Sequence, residues 1–133
     1  MGTGIGGKKF YIENLGCAKN LVDGESLAGM LLQKGWQAAD TPEEAEYLLV
    51  NTCGFIAQAK EESIDVTLEF RQRFPSKKIL LTGCLSQRYG EELFRHLPEV
   101  DGVFGNRDLT KIGEILKRIE GGEKGFLIPT QYG

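Results

Sequence analysis

The chain has 133 residues, a formal net charge of -3, and 41% hydrophobic against 26% charged side chains, the balance of one soluble globular domain. No apolar run approaches the roughly 20 residues of a membrane-spanning helix, and no signal-peptide pattern opens the chain, so we expect a cytoplasmic protein without a membrane partner. The 16 basic residues are scattered among 19 acidic ones, which disfavours strong nucleic-acid binding by this domain alone.

The predicted elements begin after a glycine-rich leader. Residues 1–7 carry too few side chains to pack, so we expect them to be disordered or an expression remnant. The first predicted strand is the β-favouring run from Lys8 to Leu15. A loop with Cys17 follows, and then a helix that we expect to open at Val22-Asp23, with the aspartate as its cap, and to end at Gly35.

The middle of the chain contains the most strongly apolar strand. Trp36 to Ala39 is predicted as a short edge strand, and Asp40 to Glu44 as a single helical turn with proline near its start. Tyr47 to Val50 is apolar without alternation, which is typical of a strand buried on both faces of a parallel sheet. The run stops at Asn51-Thr52-Cys53-Gly54, which puts a thiol at the carboxyl end of a central strand.

The second half of the chain repeats the alternation of helix and strand, with prolines and glycines closing its elements. The next predicted elements are a helix from Phe55 to Arg73 with Ala57, Ile64 and Leu68 on its inner face, and a strand from Lys78 to Thr82. The last are a helix from Gln87 to Leu97, a strand from Val100 to Phe104, and a helix capped by Asp108 with Leu109, Ile112, Leu116 and Ile119 facing inward.

This alternation predicts an α/β fold in three layers, flavodoxin-like or Rossmann-like, with a mostly parallel sheet and helices on both faces. About five strands in the order 2-1-3-4-5 fit best. The first, third and fourth strands are then neighbours, and each is followed by a cysteine beside a glycine: Cys17, Cys53 and Cys84. Ligands bind beyond the carboxyl ends of strands in open α/β sheets, so we expect the three thiols to meet on one rim.

Three thiolates with no fourth cysteine suit an iron–sulfur cluster that leaves one iron open to an outside ligand. Structural zinc fits less well because it takes four protein ligands, and no C-x-x-C is present for thioredoxin chemistry. The residues alone equally allow a flavodoxin-like binding module whose cysteines only fill the core. His96 ends a predicted helix, where a histidine is typically a partner of the helix dipole, and no residue is assigned a catalytic role.

Three motifs surround these cysteines: Leu15-Gly16-Cys17-Ala18-Lys19-Asn20, Asn51-Thr52-Cys53-Gly54-Phe55-Ile56, and Thr82-Gly83-Cys84-Leu85 running on to Gln87-Arg88-Tyr89. They resemble the amino-terminal domain of the methylthiotransferases, radical-SAM enzymes that insert a methylthio group into an unactivated C–H bond. The motifs span almost the whole predicted fold.

Within that family the chain looks most like the branch that modifies an aspartate of ribosomal protein uS12. The tRNA branch, which acts on N6-isopentenyladenosine, reads G-C-Q-M-N at the first cysteine, and Lys19 argues against it. Two residues depart from the uS12 branch: Ala18 replaces a proline and Gly24 a serine. Membership of the tRNA branch remains the alternative.

The resemblance implies that Cys17, Cys53 and Cys84 hold an auxiliary [4Fe–4S] cluster, whose open iron carries the sulfur destined for the product. It also implies a second [4Fe–4S] cluster and S-adenosylmethionine in a radical-SAM domain, and a carboxyl-terminal domain, both missing here. We therefore expect residues 8–120 to form the cluster-binding domain and residues 121–133 to be a linker towards the radical-SAM domain. The chain alone is expected to be inactive.

Overall fold

The computed structural model of the chain describes residues 8–15, 18–52, 57–83, 94–95, 97, 99–105, 111–122 and 125–127. Their strands are β1 (Lys9–Asn14), β2 (Gln37–Ala38), β3 (Tyr47–Thr52), β4 (Lys78–Gly83), β5 (Gly102–Phe104) and β6 (Gly125–Leu127). They form one sheet in the order β2-β1-β3-β4-β5-β6, and every neighbouring pair is parallel.

The centre of the sheet is apolar on both faces. Every residue of β3 is buried, and so is every residue of β4 after Lys78. Successive side chains of a strand point to opposite faces, so Leu49 and Leu80 enter one core while Leu48 and Ile79 enter the other. A sheet with this pattern must be covered on both sides, which is why the helices divide between its faces.

The helices are α1 (Ala18–Gln33), α2 (Ala57–Arg73) and α3 (Ile112–Glu120), and a short 3-10 turn covers Pro42–Glu44. Leu27 and Leu31 of α1 share a core with the buried stripe of α3, which is Ile112, Ile115, Leu116 and Ile119. Phe70 of α2 packs in the opposite core. Each fully buried aliphatic side chain stabilises the fold by roughly 1.5–3 kcal/mol. Burial of the apolar side chains on the helices therefore contributes to the stability of the three-layer arrangement.

The predicted strand order 2-1-3-4-5 is confirmed, together with the short edge strand and the single helical turn at Pro42–Glu44. Gly35 ends α1 as expected. Its φ is 91°, and its N–H donates to the carbonyl of Leu32 at 3.0 Å while that of Trp36 donates to the carbonyl of Leu31 at 3.1 Å. A side chain would strain this left-handed position, so glycine is the residue that fits.

Two helix predictions were wrong in detail. The first helix begins at Ala18 instead of Val22-Asp23, so Asp23 lies inside it and is not its cap. Alanine, lysine and leucine favour helix from the first position after the loop. Leu68 was expected to face inward but is 40% exposed, because the buried stripe of α2 contains Ser63, Thr67 and Phe70 instead.

The sixth strand was not predicted. Residues 125–127 were expected to belong to a linker, but they pair in parallel with β5 through Val103 opposite Phe126 and Phe104 opposite Leu127. The glycines around it, at positions 121, 122 and 125, are typical of a linker and concealed the strand. Within the described part of the chain, no helix is long and apolar enough to cross a membrane.

Two further predictions fall largely outside the described residues. Of the helix expected from Gln87 to Leu97, only Phe94 and Arg95 are described as helical. The expected cap Asp108 also lies outside.

Candidate functional site

The three strands that precede the cysteines end at the same edge of the sheet. Asn14 of β1 lies opposite Asn51 of β3, and Asn51 lies opposite Thr82 of β4. Neighbouring strands are about 4.8 Å apart, so the three backbone positions fall within about 10 Å of one another. We call this edge, with Asn14, Asn51, Thr52, Thr82 and Gly83, the carboxyl edge.

Cys17, Cys53 and Cys84 lie outside the described residues, as does His96. Cys17 is three residues beyond the end of β1, and the other two cysteines directly follow the last residues of β3 and β4. The structure therefore defines where their loops start, and the meeting of the three sulfurs stays a prediction. Among the residues that are described, no three His, Cys, Asp or Glu side chains are grouped to hold a metal ion.

A hydrogen-bond network joins the strands at the carboxyl edge. The Asn51 side chain, which is buried, donates from Nδ2 to Oδ1 of Asn14 at 2.9 Å. Its Oδ1 accepts from the hydroxyl of Thr82 at 3.3 Å. One side chain on the middle strand thus contacts both neighbouring strands, β1 through one end of its amide and β4 through the other.

Two more hydrogen bonds tie the same strand ends. The hydroxyl of Thr52, fully buried, donates to the backbone carbonyl of Thr82 at 2.6 Å. The N–H of Leu15 donates to the carbonyl of Asn51 at 3.0 Å, which extends the pairing of β1 and β3 by one residue towards the first cysteine loop. Buried polar groups cost free energy unless they are hydrogen-bonded, so these contacts make a polar edge compatible with the apolar core beneath it.

Gly83 is the last residue of β4 and directly precedes Cys84. Its φ is +99°, and a Cβ there would lie 2.3 Å from the carbonyl oxygen of Thr52 and 2.8 Å from Oδ1 of Asn51. Both the conformation and the space therefore require glycine. Gly83 thus ends β4 in a left-handed conformation, and its backbone packs directly on the polar network.

The donor set and the strand ends suit an iron–sulfur cluster. A cluster held by thiolates from three chain segments requires those segments to reach one place, and the neighbouring ends of β1, β3 and β4 start all three loops at one edge. Three cysteines also fall one short of a four-cysteine zinc site.

Tyr11 lies in the middle of β1, opposite Leu48 of β3, and its hydroxyl donates to Oε1 of Glu13 at 3.1 Å. Burial, followed by the Glu13 carboxylate, raises the pKa of Tyr11 above its ordinary value of 10.0. The phenol therefore stays protonated at neutral pH and serves as a donor.

A cleft lies at the opposite, amino edge of the sheet. This cleft of about 500 Å³ is lined by residues that include Lys8, Glu46, Tyr47 and Lys77. Two of its cations are already engaged: Lys8 pairs with Glu46 at 3.7 Å, and Lys77 donates to three backbone carbonyls. The chemistry of the sequence thus favours the carboxyl edge as the functional one, in spite of the size of the cleft.

Sequence reasoning found the cysteines but missed the network that joins the strands before them. The available signal was the polar ending of each apolar strand, at Asn14, at Asn51-Thr52 and at Thr82. Polar residues that end buried strands at the edge where ligands bind indicate a functional site, as do the cysteines that follow the same strands.

Residues 9–105 match the family described as Uncharacterized protein family UPF0004. Among similar curated proteins, the Ribosomal protein uS12 methylthiotransferase RimO of Symbiobacterium thermophilum is 47% identical over 114 residues, which are 84% of this chain and 24% of that protein. The protein of the same name from Desulfotalea psychrophila is 43% identical over 129 residues, covering 93% of this chain and 29% of that protein. The chain thus spans between 24% and 29% of the length of these two relatives.

Among solved structures, the isolated REC domain of RcsB from Salmonella enterica serovar Typhimurium in the apo form is similar in fold. The TM-score is 0.65 with 13% sequence identity, and the match covers 90% of this chain and 92% of that one. At this identity the likeness supports the fold alone.

Proposed function

The chain belongs to the UPF0004 family, and on that premise we propose that it is the auxiliary-cluster domain of an enzyme that methylthiolates an aspartate of ribosomal protein uS12. The names of the relatives support the enzyme class and the ribosomal protein. The observation that carries the proposal is structural: the strands leading to the three cysteines are neighbours and end at one edge.

Cys17, Cys53 and Cys84 are the proposed ligands of a single [4Fe–4S] cluster. When bound, a cluster with three cysteine ligands supplies one iron that is open to an outside ligand, where a sulfur for transfer is carried. The chain's contribution is a fixed platform. Rigid parallel strands bring three loops to one edge, and Gly83 turns the chain sharply out of β4 directly before Cys84.

The neutral character of the carboxyl edge supports this assignment. Asn14, Asn51, Thr52 and Thr82 contribute hydrogen-bonding groups without formal charge. Three thiolates already bring negative charge to the site, so these four uncharged side chains add no repulsion beneath them. A neutral polar edge is also compatible with the buried leucines of β3 and β4 immediately below.

We assign the remaining chemistry to parts of a longer protein. Cleavage of S-adenosylmethionine, a second [4Fe–4S] cluster and recognition of uS12 belong to a radical-SAM domain and a carboxyl-terminal domain in the same polypeptide. Residues 8–120, together with the strand Gly125–Leu127 that pairs with β5, then form the cluster-binding domain, and the chain continues from there towards the radical-SAM domain. The 133-residue chain alone neither cleaves S-adenosylmethionine nor modifies uS12, and it works in the cytoplasm, where its substrate is.

Anaerobic reconstitution of the 133-residue chain with iron and sulfide tests the proposal. We expect about four iron and four sulfide per chain and a brown protein with thiolate-to-iron charge-transfer absorbance. The matched control replaces Cys17, Cys53 and Cys84 together by alanine, and it should take up no cluster while keeping its fold. Equal iron in the control, or a colourless wild-type chain, would contradict the cluster assignment.

The substrate is tested in the full-length protein that contains this chain. Incubated with S-adenosylmethionine, a reductant and sulfide as the sulfur source, it should add a methylthio group to an aspartate of uS12, read out by mass spectrometry of the peptide. Methylthiolated N6-isopentenyladenosine in tRNA, with unmodified uS12, would place the protein in the tRNA branch instead. The 133-residue chain in the same assay should give neither product.

A further inference from the structure

One buried side chain links all three strands that lead to the cysteines. Asn51 is 1% exposed and lies on β3, between β1 and β4. It donates to Asn14 on one side and accepts from Thr82 on the other, at 2.9 and 3.3 Å. Both partners are the residues directly opposite it in the sheet register.

We propose that Asn51 is a positioning residue that sets the relative placement of the three cysteine loops, an inference that rests on the proposed cluster site. Its role is to hold the ends of β1, β3 and β4 in one arrangement from which the three thiols reach a common centre. It is not itself a ligand, and it acts through the strand ends it contacts.

The position of Asn51 explains why such a link is needed. The backbone ladder between β1, β3 and β4 stops within one residue of it, and in the described part of the chain no strand pairing of the three segments continues beyond that point. A metal or cluster site requires its ligands to be held within about 0.5 Å of the productive geometry. Hydrogen bonds at the last paired residues are therefore the contacts best placed to fix the loop origins.

An asparagine suits this place because its amide offers a donor and an acceptor on opposite sides of one planar group. An aspartate would present acceptors to both neighbours, and a leucine would leave Thr82 without this acceptor. The contact of Gly83 with the same Oδ1 adds a third constraint, since a Cβ at Gly83 would lie 2.8 Å from it. Asn51 thus also abuts the turn that leads to Cys84.

A purely structural role must be separated from positioning, and the amino edge offers the matched control. Asp101 is also a buried polar residue, 8% exposed, and its carboxylate joins two other segments: it accepts from Arg71 at 2.7 Å and from the N–H of Ile79 at 2.9 Å. Ile79 lies three residues before Thr82 on β4, about 10 Å from the carboxyl edge. Asp101→Ala therefore destabilises the same strand from its other end.

The experiment compares Asn51→Ala with Asp101→Ala in the 133-residue chain. Chemical unfolding of the cluster-free proteins first measures how much stability each change removes. After reconstitution, the rate of iron loss to a chelator and the electron paramagnetic resonance spectrum of the reduced cluster are recorded. We expect Asn51→Ala to lose iron about 10-fold faster than wild type or more, with an altered spectrum. Asp101→Ala should stay within about 2-fold of wild type, because it is distant from the site.

A second probe works without iron. Arsenite, As(OH)₃, condenses with three thiols to form three As–S bonds and release three waters, so its affinity reports how well the thiols converge in the cluster-free chain. Asn51→Ala should bind arsenite about 10-fold more weakly than Asp101→Ala. If Asn51→Ala does not fold, Asn14→Ala replaces it, because Asn14 is exposed and its loss removes one arm of the same link.

The outcomes separate this inference from the proposed function. Equal iron loss and equal arsenite affinity in the Asn51 and Asp101 variants would overturn the positioning role and leave the cluster assignment standing. A wild-type chain that takes up no iron but binds arsenite would overturn the cluster assignment, and the arsenite comparison would still decide whether Asn51 positions the thiols. Wild-type chain that binds neither would overturn both.

Discussion

The two edges of the sheet are held together by different kinds of side chain. At the carboxyl edge the links are short and neutral: Asn51 joins Asn14 and Thr82, and Thr52 joins the backbone of β4. At the amino edge they are long and charged, and they reach mostly to backbone carbonyls. The edge proposed to hold the cluster is thus the one without charged links among its described contacts.

Arg71 and Lys77 each donate several hydrogen bonds at the amino edge. Arg71 donates to Asp101 at 2.7 Å and to the carbonyl of Glu99 at 2.8 Å, and further to carbonyls of the turn that follows α2. Lys77 donates from Nζ to the carbonyls of Pro42, Glu43 and Ala45. These cations therefore donate to carbonyls of the 3-10 turn and of the turn that follows α2.

The two edges of the sheet thus differ in role: the contacts at the amino edge stabilise the fold, and the carboxyl edge leads to the proposed functional site. Long cations with several carbonyl partners fix the amino edge, where the chain needs only to be stable. Short neutral groups fix the carboxyl edge without filling the space beyond the strands. Substitutions at the two edges test this difference through the free energy of unfolding that each one removes.

Gly83→Ala should be the most destabilising of these changes, because the new Cβ would lie 2.3 Å from the carbonyl oxygen of Thr52 at a φ of +99°. Backbone strain and the clash together should lower the free energy of unfolding by about 2–5 kcal/mol. Gly122→Ala is the control: φ is +88°, but no atom lies within 4 Å of the added Cβ. It should cost only the strain, about 1–2 kcal/mol, in the same urea titration. Equal losses in the two variants would show that the close approach at Gly83 is unimportant.

Asp101→Ala should come next, with a loss of about 2–3 kcal/mol, because it removes the partner of Arg71 and leaves the N–H of Ile79 without this acceptor. Asp101→Asn should cost less, since its side-chain oxygen can still accept one of the two bonds. Urea unfolding of both variants measures the difference. Full stability in Asp101→Ala would refute the importance of the charged contact at the amino edge.

Lys77→Met should lower the free energy of unfolding by about 1–2 kcal/mol, since methionine keeps much of the apolar stem but donates nothing to the three carbonyls. Lys78→Met serves as the control on the adjacent residue, for which the described contacts include no such set of carbonyl bonds. Thermal unfolding of the two variants checks the difference. A larger loss in Lys78→Met would reverse the assignment.

The smallest expected effect is a pH dependence at the amino edge. Burial, followed by the negative charges of Glu120 and Glu46, raises the pKa of Tyr47 well above its ordinary value of 10.0. Because the pKa of Tyr47 is higher in the folded chain than in the unfolded chain, its stabilising contribution is fully present below pH 10. The contribution is lost as the pH rises through the folded-state pKa. Tyr47→Phe should therefore flatten the fall of unfolding free energy above pH 10. Parallel curves for the variant and wild type would show that Tyr47 makes no such contribution.

The sheet could be predicted because its signals are local. Tyr47 to Val50 and Ile79 to Leu81 are apolar runs of strand length, and the alternation with helices then limits the possible strand orders to very few. The short strand at Gly125–Leu127 escaped prediction because the glycines around it, at positions 121, 122 and 125, are typical of a linker. Leu68 was misplaced because Ser63 and Thr67, which are polar by type, occupy the buried side of α2.

The candidate site was predictable only in its cysteines. Their positions after three apolar strands can be read along the chain, whereas the Asn51 link depends on residues 37 and 31 positions away. The same holds for Arg71 and Asp101, which are 30 positions apart. Each of these residues is an ordinary polar residue until the strand order and register place its partner beside it. Long-range polar pairs of this kind leave no pattern in a single sequence.

The most direct test of the central claim is the iron and sulfide content of three single variants, Cys17→Ala, Cys53→Ala and Cys84→Ala, after anaerobic reconstitution beside the wild-type chain. Because one cluster is proposed to take all three thiolates, each variant should lose most of its iron and sulfide while its unfolding transition stays close to that of wild type. Wild-type iron and sulfide content in any one variant would show that its cysteine is not a ligand and would contradict a single three-cysteine site at the carboxyl edge.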